Sequence, residues 1–143
     1  MSGRLVKVRD VARTFAGGTP DRSNPDYFGG LIPWVKSAEV SHARITSTEE
    51  HLTEAGLKYS SAKWSKQGST VVAMYGANAG QVGRLDIRAT TNQAVLCVEA
   101  IDSKDSDFLF HAVSAAAPSL LGHVQGSGQP NLHASLIRKL ALP

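Results

Sequence analysis

Two glycine-bearing stretches are the places where this sequence could hold a phosphate. Gly17-Gly18-Thr19-Pro20 sets two residues without side chains ahead of a hydroxyl, a loop whose free amides could approach an anion closely. It lacks the spaced glycines and the Lys-Ser/Thr of a Walker loop, and its local pattern favours a plain helix stop and turn. Gly76-Ala77-Asn78-Ala79-Gly80-Gln81-Val82-Gly83 superficially evokes a dinucleotide fingerprint, but a strand-like segment follows it where a phosphate-binding helix is required. His133 with Ser127 or Ser135 is a conceivable nucleophile–base pair, although no serine has the context of a nucleophile elbow. Glu49-Glu50 reads as a solvated charge run. Cys97, the one cysteine, lies in an apolar run and reads as a small core residue. The histidines (His42, His51, His111, His123, His133) have no metal-ligand spacing with each other or with Cys97. No catalytic residue, metal or cofactor is therefore expected, which leaves binding functions.

The elements that must position any such site centre on Gln67 to Val98. Thr70–Tyr75, Gln81–Leu85 and Ala94–Val98 are β-rich runs of strand length, separated by glycine and polar breakers, and read as consecutive strands of one sheet. Gly76, Gly80 and Gly83 weaken strands, so they mark bulges or close backbone approach. A sheet bent in this way, with an exposed Tyr-Gly-Ala-Asn-Ala-Gly tip, can present a concave face to something large. Upstream, Arg4 to Val8 suggests an edge strand, and Asp10 suits the N-cap of a short helix from Val11 to Phe15. Pro25 opens a brief helical turn, Phe28 packs, and Leu31–Val35 is a strand that either lies at an edge or begins after Pro33. Leu52–Lys58 reads as a short helix started at Thr53 and Glu54. Downstream, Ser106-Asp107 caps a helix whose buried stripe is Phe108, Leu109, Val113, Ala116 and Ala117, with Pro118 ending or restarting it. Gly126 to Asn131 is a loop, Leu132–Ile137 has helical spacing, and Leu140–Pro143 closes as a short strand.

A chain of 143 residues suits one domain, without disulfide or metal staples. The formal net charge of +3 and isoelectric point near 9.2 permit nucleic-acid binding without demanding it. The N-terminus lacks the apolar core of a signal peptide and no apolar run reaches membrane-spanning length, so a cytoplasmic protein with no membrane partner is expected.

Several short motifs occur together and in order: Gly17-Gly18-Thr19-Pro20, Asn24-Pro25 to Gly30, Ile32-Pro33-Trp34-Val35-Lys36-Ser37, Leu52 to Leu57, Ser60-Ser61-Ala62-Lys63, Gly68 to Gly76, Thr91-Asn92-Gln93-Ala94, and Gly126 to Leu132. Across nearly the whole chain this series resembles the target recognition domain of type I restriction–modification DNA specificity subunits. The resemblance implies a mixed α+β domain, with a strongly curved, mostly antiparallel β-sheet and short flanking helices, whose loops enter the DNA major groove. It implies double-stranded DNA, a methyltransferase (modification) subunit and a translocating restriction subunit as partners, and no catalysis by the domain itself. Such subunits usually carry two recognition domains separated by long helices. Residues 1–143 read as a single recognition domain that reaches Pro143 where a spacer helix would begin.

On this resemblance, Arg13, Arg22, Lys36, Lys63 and Arg84 are candidate phosphate contacts, with Gly18 and Thr19 on the same DNA-facing loops. Base edges would be read by Asn78, Gln81, Gln129, Asn131 and His133, with Ser37 and Tyr75 nearby, because amides can chelate adenine and Arg84 could instead read guanine. Asn92-Gln93 is expected to satisfy loop backbone, and Trp34 and Trp64 to pack. Two other classes stay open. One is an interaction module that binds and regulates a methyltransferase subunit without DNA specificity of its own; the other is a small nucleotide-binding enzyme using Gly76–Gly83.

Overall fold

The computed structural model describes residues 6–41, 43–123 and 130–143. In chain order its elements are β1 (Val6–Lys7), α1 (Val8–Val11), β2 (Ala12–Ala16), β3 (Phe28–Val35), β4 (Arg44–Ile45), β5 (Glu50–Leu52), α2 (Glu54–Lys58), β6 (Thr70–Ala73), β7 (Val82–Leu85), β8 (Thr90–Thr91), β9 (Val95–Ala100), α3 (Ser106–Ala116), β10 (Gly122–His123), β11 (Pro130–Asn131), α4 (Ala134–Arg138) and β12 (Ala141–Leu142). Short 3₁₀ turns interrupt them at Pro25–Tyr27, Ser37–Ser41, Gly76–Asn78, Ser103–Asp105 and Ala117–Leu120.

The centre is a five-stranded sheet in the order β2-β9-β6-β7-β4, antiparallel except where β4 joins β7. Its central strands β6 and β9 are buried along their whole length and mostly apolar because both faces are covered, with Thr70 and Glu99 as their polar members. Along β6 and β9 successive side chains point to opposite sides. Val71, Ala73, Val95 and Cys97 meet Val35, Val40, Ile45 and Leu85 on one side. Val72, Met74, Leu96, Val98 and Ala100 meet Leu109 and Val113 of α3 and Ile137 of α4 on the other. Each valine, leucine, isoleucine or methionine among them, fully withdrawn from water, contributes about 1.5–3 kcal/mol before entropic costs. A three-stranded sheet, β5-β3-β8, carries a third core of Ile32, Trp34, Leu52 and Ala62. Ala12 and Ala16 of β2 face the α3 side while Phe15 faces the other.

Several expectations are met by named atoms. The strands at 70–73, 82–85 and 95–100 are sheet neighbours. Thr53 caps α2 by accepting the Gly56 N–H at 3.0 Å, and Asn24 caps the Pro25–Tyr27 turn by accepting the Asp26 N–H at 2.9 Å. Cys97 and Trp34 are buried.

Others are corrected. Val11 to Phe15 is not a helix: the single turn α1 precedes it, and Ala12–Ala16 is a strand pairing with β9 from Ala12↔Ala100 to Ala16↔Leu96. Asp10 does not cap from outside; it sits within α1 and accepts the Lys7 N–H at 2.9 Å. Leu31–Val35 belongs to β3, which neither lies at an edge nor starts after Pro33. The proline is tolerated because its carbonyl accepts the Thr90 hydroxyl at 2.8 Å, so its ring nitrogen faces the side on which β8 pairs only from Trp34 onward. The polar breaker between the runs at 81–85 and 94–98 contains β8 at Thr90–Thr91, a two-residue strand too short to leave a pattern. Phe108 is largely exposed rather than part of the buried stripe of α3, which is Leu109 and Val113. No helix among the described residues is long and apolar enough to cross a membrane.

Candidate nucleic-acid interface

The β6–β7 hairpin is closed by Ala73 N–H to Gln81 O (3.0 Å) and Gly80 N–H to Ala73 O (2.8 Å), which leaves residues 74–80 projecting as its tip. Gly76 and Gly80 turn the tip at φ +74° and +88°, a backbone region that side-chain-bearing residues avoid. The tip does not stand alone. Tyr75 bridges Asn131, and the Leu132 N–H donates to Met74 O at 2.7 Å, so β11 continues the sheet beside the hairpin. β11 pairs in turn with β10, and a Cβ at Gly80 would press on the Leu121 side chain at 3.1 Å. The Gly76–Asn78 turn packs against β11 and also against the Ser37–Ser41 turn.

Three segments distant in sequence thus form one rim carrying Ser37, Tyr75, Asn78, Gln81, Asn131 and His133. Tyr75 is 52% exposed, and Gln81 and His133 are also exposed. Among the described residues no hydrogen bond engages the side chains of these six, whereas beside the Trp34 core Thr48, Thr90 and the Trp34 indole are hydrogen-bonded. Gln129 lies outside the described residues.

Three of the nominated cations, Arg22, Lys36 and Arg84, are engaged by carboxylates of the same chain. Arg22 lies over the rings of Phe28 (4.9 Å) and Trp34 (4.8 Å) and grips Glu50 with both terminal nitrogens, at 2.6 and 3.0 Å. Lys36 bridges Glu49 at 2.8 Å and Glu50 at 2.9 Å. Hydrogen bonds from Arg22 and then Lys36 hold the Glu50 carboxyl well below the usual carboxylate range, at about 2. The same two carboxylates raise the Lys36 ammonium, Glu49 foremost. Glu50 is therefore not a solvated charge, contrary to the sequence reading of Glu49-Glu50. Arg84 pairs with Asp107, and its Nε donates to Gly68 O at 3.2 Å. It sits opposite Thr70 in the register, at the far end of the hairpin from the tip.

The Gly17–Thr19 loop is closed to an anion at its amides. The Gly17 and Gly18 N–H groups donate to Val95 O (3.2 Å) and Thr91 O (2.9 Å), and Gly18 O accepts Trp34 Nε1–H at 3.0 Å. The glycines are required by packing, since a Cβ would fall 2.1 Å from Thr91 O at Gly17 and 2.4 Å from the Ala62 amide at Gly18. The Thr19 hydroxyl donates to Gln93, and Asn92 Oδ1 accepts the Ala94 N–H at 3.1 Å, as a loop-satisfying residue does. Lys63 is exposed and donates only to Ser61 O at 3.2 Å; Arg13 reaches Glu99 at 3.4 Å. Lys66 and Arg88 escaped the sequence reading because single cations in turns carry no pattern. Among the described residues no cluster of three or more His, Cys, Asp or Glu could hold a metal.

Comparison with known proteins converges on one family. Residues 4–143 match the type I restriction modification DNA specificity domain. The chain is 26% identical over 144 residues to the type I restriction enzyme HindI specificity subunit of Haemophilus influenzae, covering 96% of this chain and 31% of that one. It is likewise 26% identical to the MjaIX specificity subunit of Methanocaldococcus jannaschii, covering 97% and 33%. Its fold is that of the HsdS subunit from Thermoanaerobacter tengcongensis (TM-score 0.70, 14% identity, 98% of this chain and 32% of that one) and of the S subunit from M. genitalium (TM-score 0.62, 12% identity, 97% and 33%). The chain spans about a third of the length of these relatives. It belongs to the type I restriction modification DNA specificity domain family.

Proposed function

We propose that residues 1–143 act as a single target recognition domain that reads one half of a bipartite duplex site and catalyses nothing itself. The observation that carries this reading is the Tyr75–Asn131 bridge, which joins the hairpin tip to β11 in one rim of exposed and half-buried amide, phenol and imidazole groups whose side chains make no hydrogen bond among the described residues. Asn78, Gln81 and Asn131 each offer a donor and an acceptor on one planar group, the pairing that the adenine edge presents in the major groove. His133 and Ser37 supply further donors and acceptors at the margin, and Tyr75 a phenol. In this role the domain works in the cytoplasm within a longer specificity subunit, directing a modification methyltransferase and, through the complex, a restriction subunit to the site.

The test is fluorescence anisotropy of unrelated labelled duplexes across a salt series. Binding that weakens linearly in log–log form with salt, as counterion release requires, supports the reading. Absence of duplex binding at low salt overturns it.

A further inference from the structure

Most of the cations that sequence nominates for phosphates are neutralised internally: Arg22 and Lys36 by Glu49 and Glu50, Arg84 by Asp107. The remaining two, Arg13 and Lys63, join Lys66 and Arg88 in a set that is only partly neutralised. Arg13 and Lys63 line one shallow cleft of about 400 Å³ with Thr14 and Phe15. Arg13 and Lys66 share a single carboxylate, Glu99, at 3.4 and 3.8 Å. Glu99 is only 7% exposed, so it offsets the charge from beneath without presenting an acid to solvent. Lys66 and Arg88 flank the antiparallel Ser65–Ala89 bridge and so lie opposite each other, with the Arg88 guanidinium 3.8 Å above the Trp64 ring. Neither Lys63 nor Arg88 has an acidic partner among the described residues. Four cations thus form a continuous tract around one withdrawn carboxylate.

The tract has the dimensions of a backbone contact. From Lys63 to Lys66 the extended chain covers roughly 10 Å, about three base-pair steps of a duplex. β2, which carries Arg13, is two strands from β6, which carries the tip. That is roughly 10 Å across the sheet, and the register, which sets Arg13 level with Ser69, adds about five residues, roughly 17 Å, along it to Met74, so the tract and the tip would meet a duplex at separate places. Stacking on Trp64 also pre-orders the Arg88 guanidinium, reducing the entropy lost when it meets a phosphate.

We propose that Arg13, Lys63, Lys66 and Arg88 are the phosphate-contacting surface of this domain, and that Arg22, Lys36 and Arg84 are not. The inference rests on the duplex-binding reading above. It is tested on the whole chain with Lys63→Gln and Arg88→Gln, singly and together, because neither side chain holds an ion pair. Lys104→Gln, whose partner is the exposed Asp102, is the control. Between about 50 and 200 mM salt each substitution is expected to flatten the log–log slope by about 0.9, and the pair by about 1.8, equally for unrelated duplexes. Unchanged melting temperatures show that the variants fold. A double variant with the wild-type slope, or a loss confined to one duplex sequence, overturns the assignment while leaving duplex binding intact. Absence of binding by the wild type would remove the underlying reading as well.

Discussion

Glu50 accepts both arms of the Arg22 guanidinium and a further bond from Lys36, all at the edge of the Trp34 core. Its carboxyl titrates at about 2 in the folded chain against 4.5 ordinarily. A depressed folded-state pKa contributes stability that is fully present above pH 4.5 and is lost as pH falls toward 2. Glu50→Gln is therefore expected to remove that part of the acid dependence, and at neutral pH to cost on the order of 1 kcal/mol, since the pair is partly exposed. Urea titrations at several pH values read both effects; an unaltered acid limb would contradict the role given to Glu50. Cys97 shows the opposite shift, because burial pushes its thiol up to about 11. Only the thiolate is nucleophilic, so a disulfide reagent at neutral pH should leave the native protein unmodified and react on unfolding. Fast native-state labelling would show that the Cys97 strand opens readily.

At the scale of elements, Gly17-Gly18 passes close against Thr91 of β8 and the Ser61–Ala62 backbone. Gly18→Ala must push a methyl against backbone at 2.4 Å, and about 1–3 kcal/mol of destabilisation is expected, read as a lower denaturant midpoint with an unchanged slope. Gly29→Ala is the useful contrast. Its φ of +87° is strained for alanine, yet no atom lies within 4 Å, so its cost is limited to about 1–2 kcal/mol.

The same elements show what a reader of the sequence can and cannot see. β6 and β9 were legible because each is an apolar, valine-rich run bounded by glycine or polar residues, β7 because Val82 and Leu85 follow the glycine-bearing tip, and the tip itself through Gly76 and Gly80. The start of α2 at Thr53 and the turn opened by Pro25 were legible because helix-start signals are local. β2 was not, since Ala-Arg-Thr-Phe-Ala has no decisive period and its strand state is imposed by pairing with β9, more than eighty residues away in the chain. The Arg22–Glu50 and Lys36–Glu49 pairs were invisible for the same reason: β3 and β5 must already be paired before those charges meet. Gly17-Gly18 looked like an anion loop because glycine signals close approach without saying to what.

Across the whole molecule, charge and hydrogen-bonding capacity are distributed differently. The rim of Tyr75, Asn78, Gln81, Asn131 and His133 holds polar groups without formal charge at neutral imidazole, while the Arg13–Lys63–Lys66–Arg88 tract holds charge with little geometric specificity. This division matches the two requirements of a sequence reader, affinity from phosphates and discrimination from base edges. It also predicts that the two surfaces fail differently when altered. Substitutions in the tract weaken all duplexes alike, whereas substitutions in the rim relax the sequence preference, each good amide–base pair being worth about 1–3 kcal/mol of discrimination.

The most direct measurement is a parallel selection from a randomised duplex pool with the wild-type chain and with an Asn78→Ala/Gln81→Ala/Asn131→Ala variant. The wild type should enrich a short motif, and the variant should lose it while keeping its affinity and salt slope for random duplexes. A wild type that enriches no motif, or a variant that enriches the same motif as strongly, would contradict the assignment of base reading to this rim.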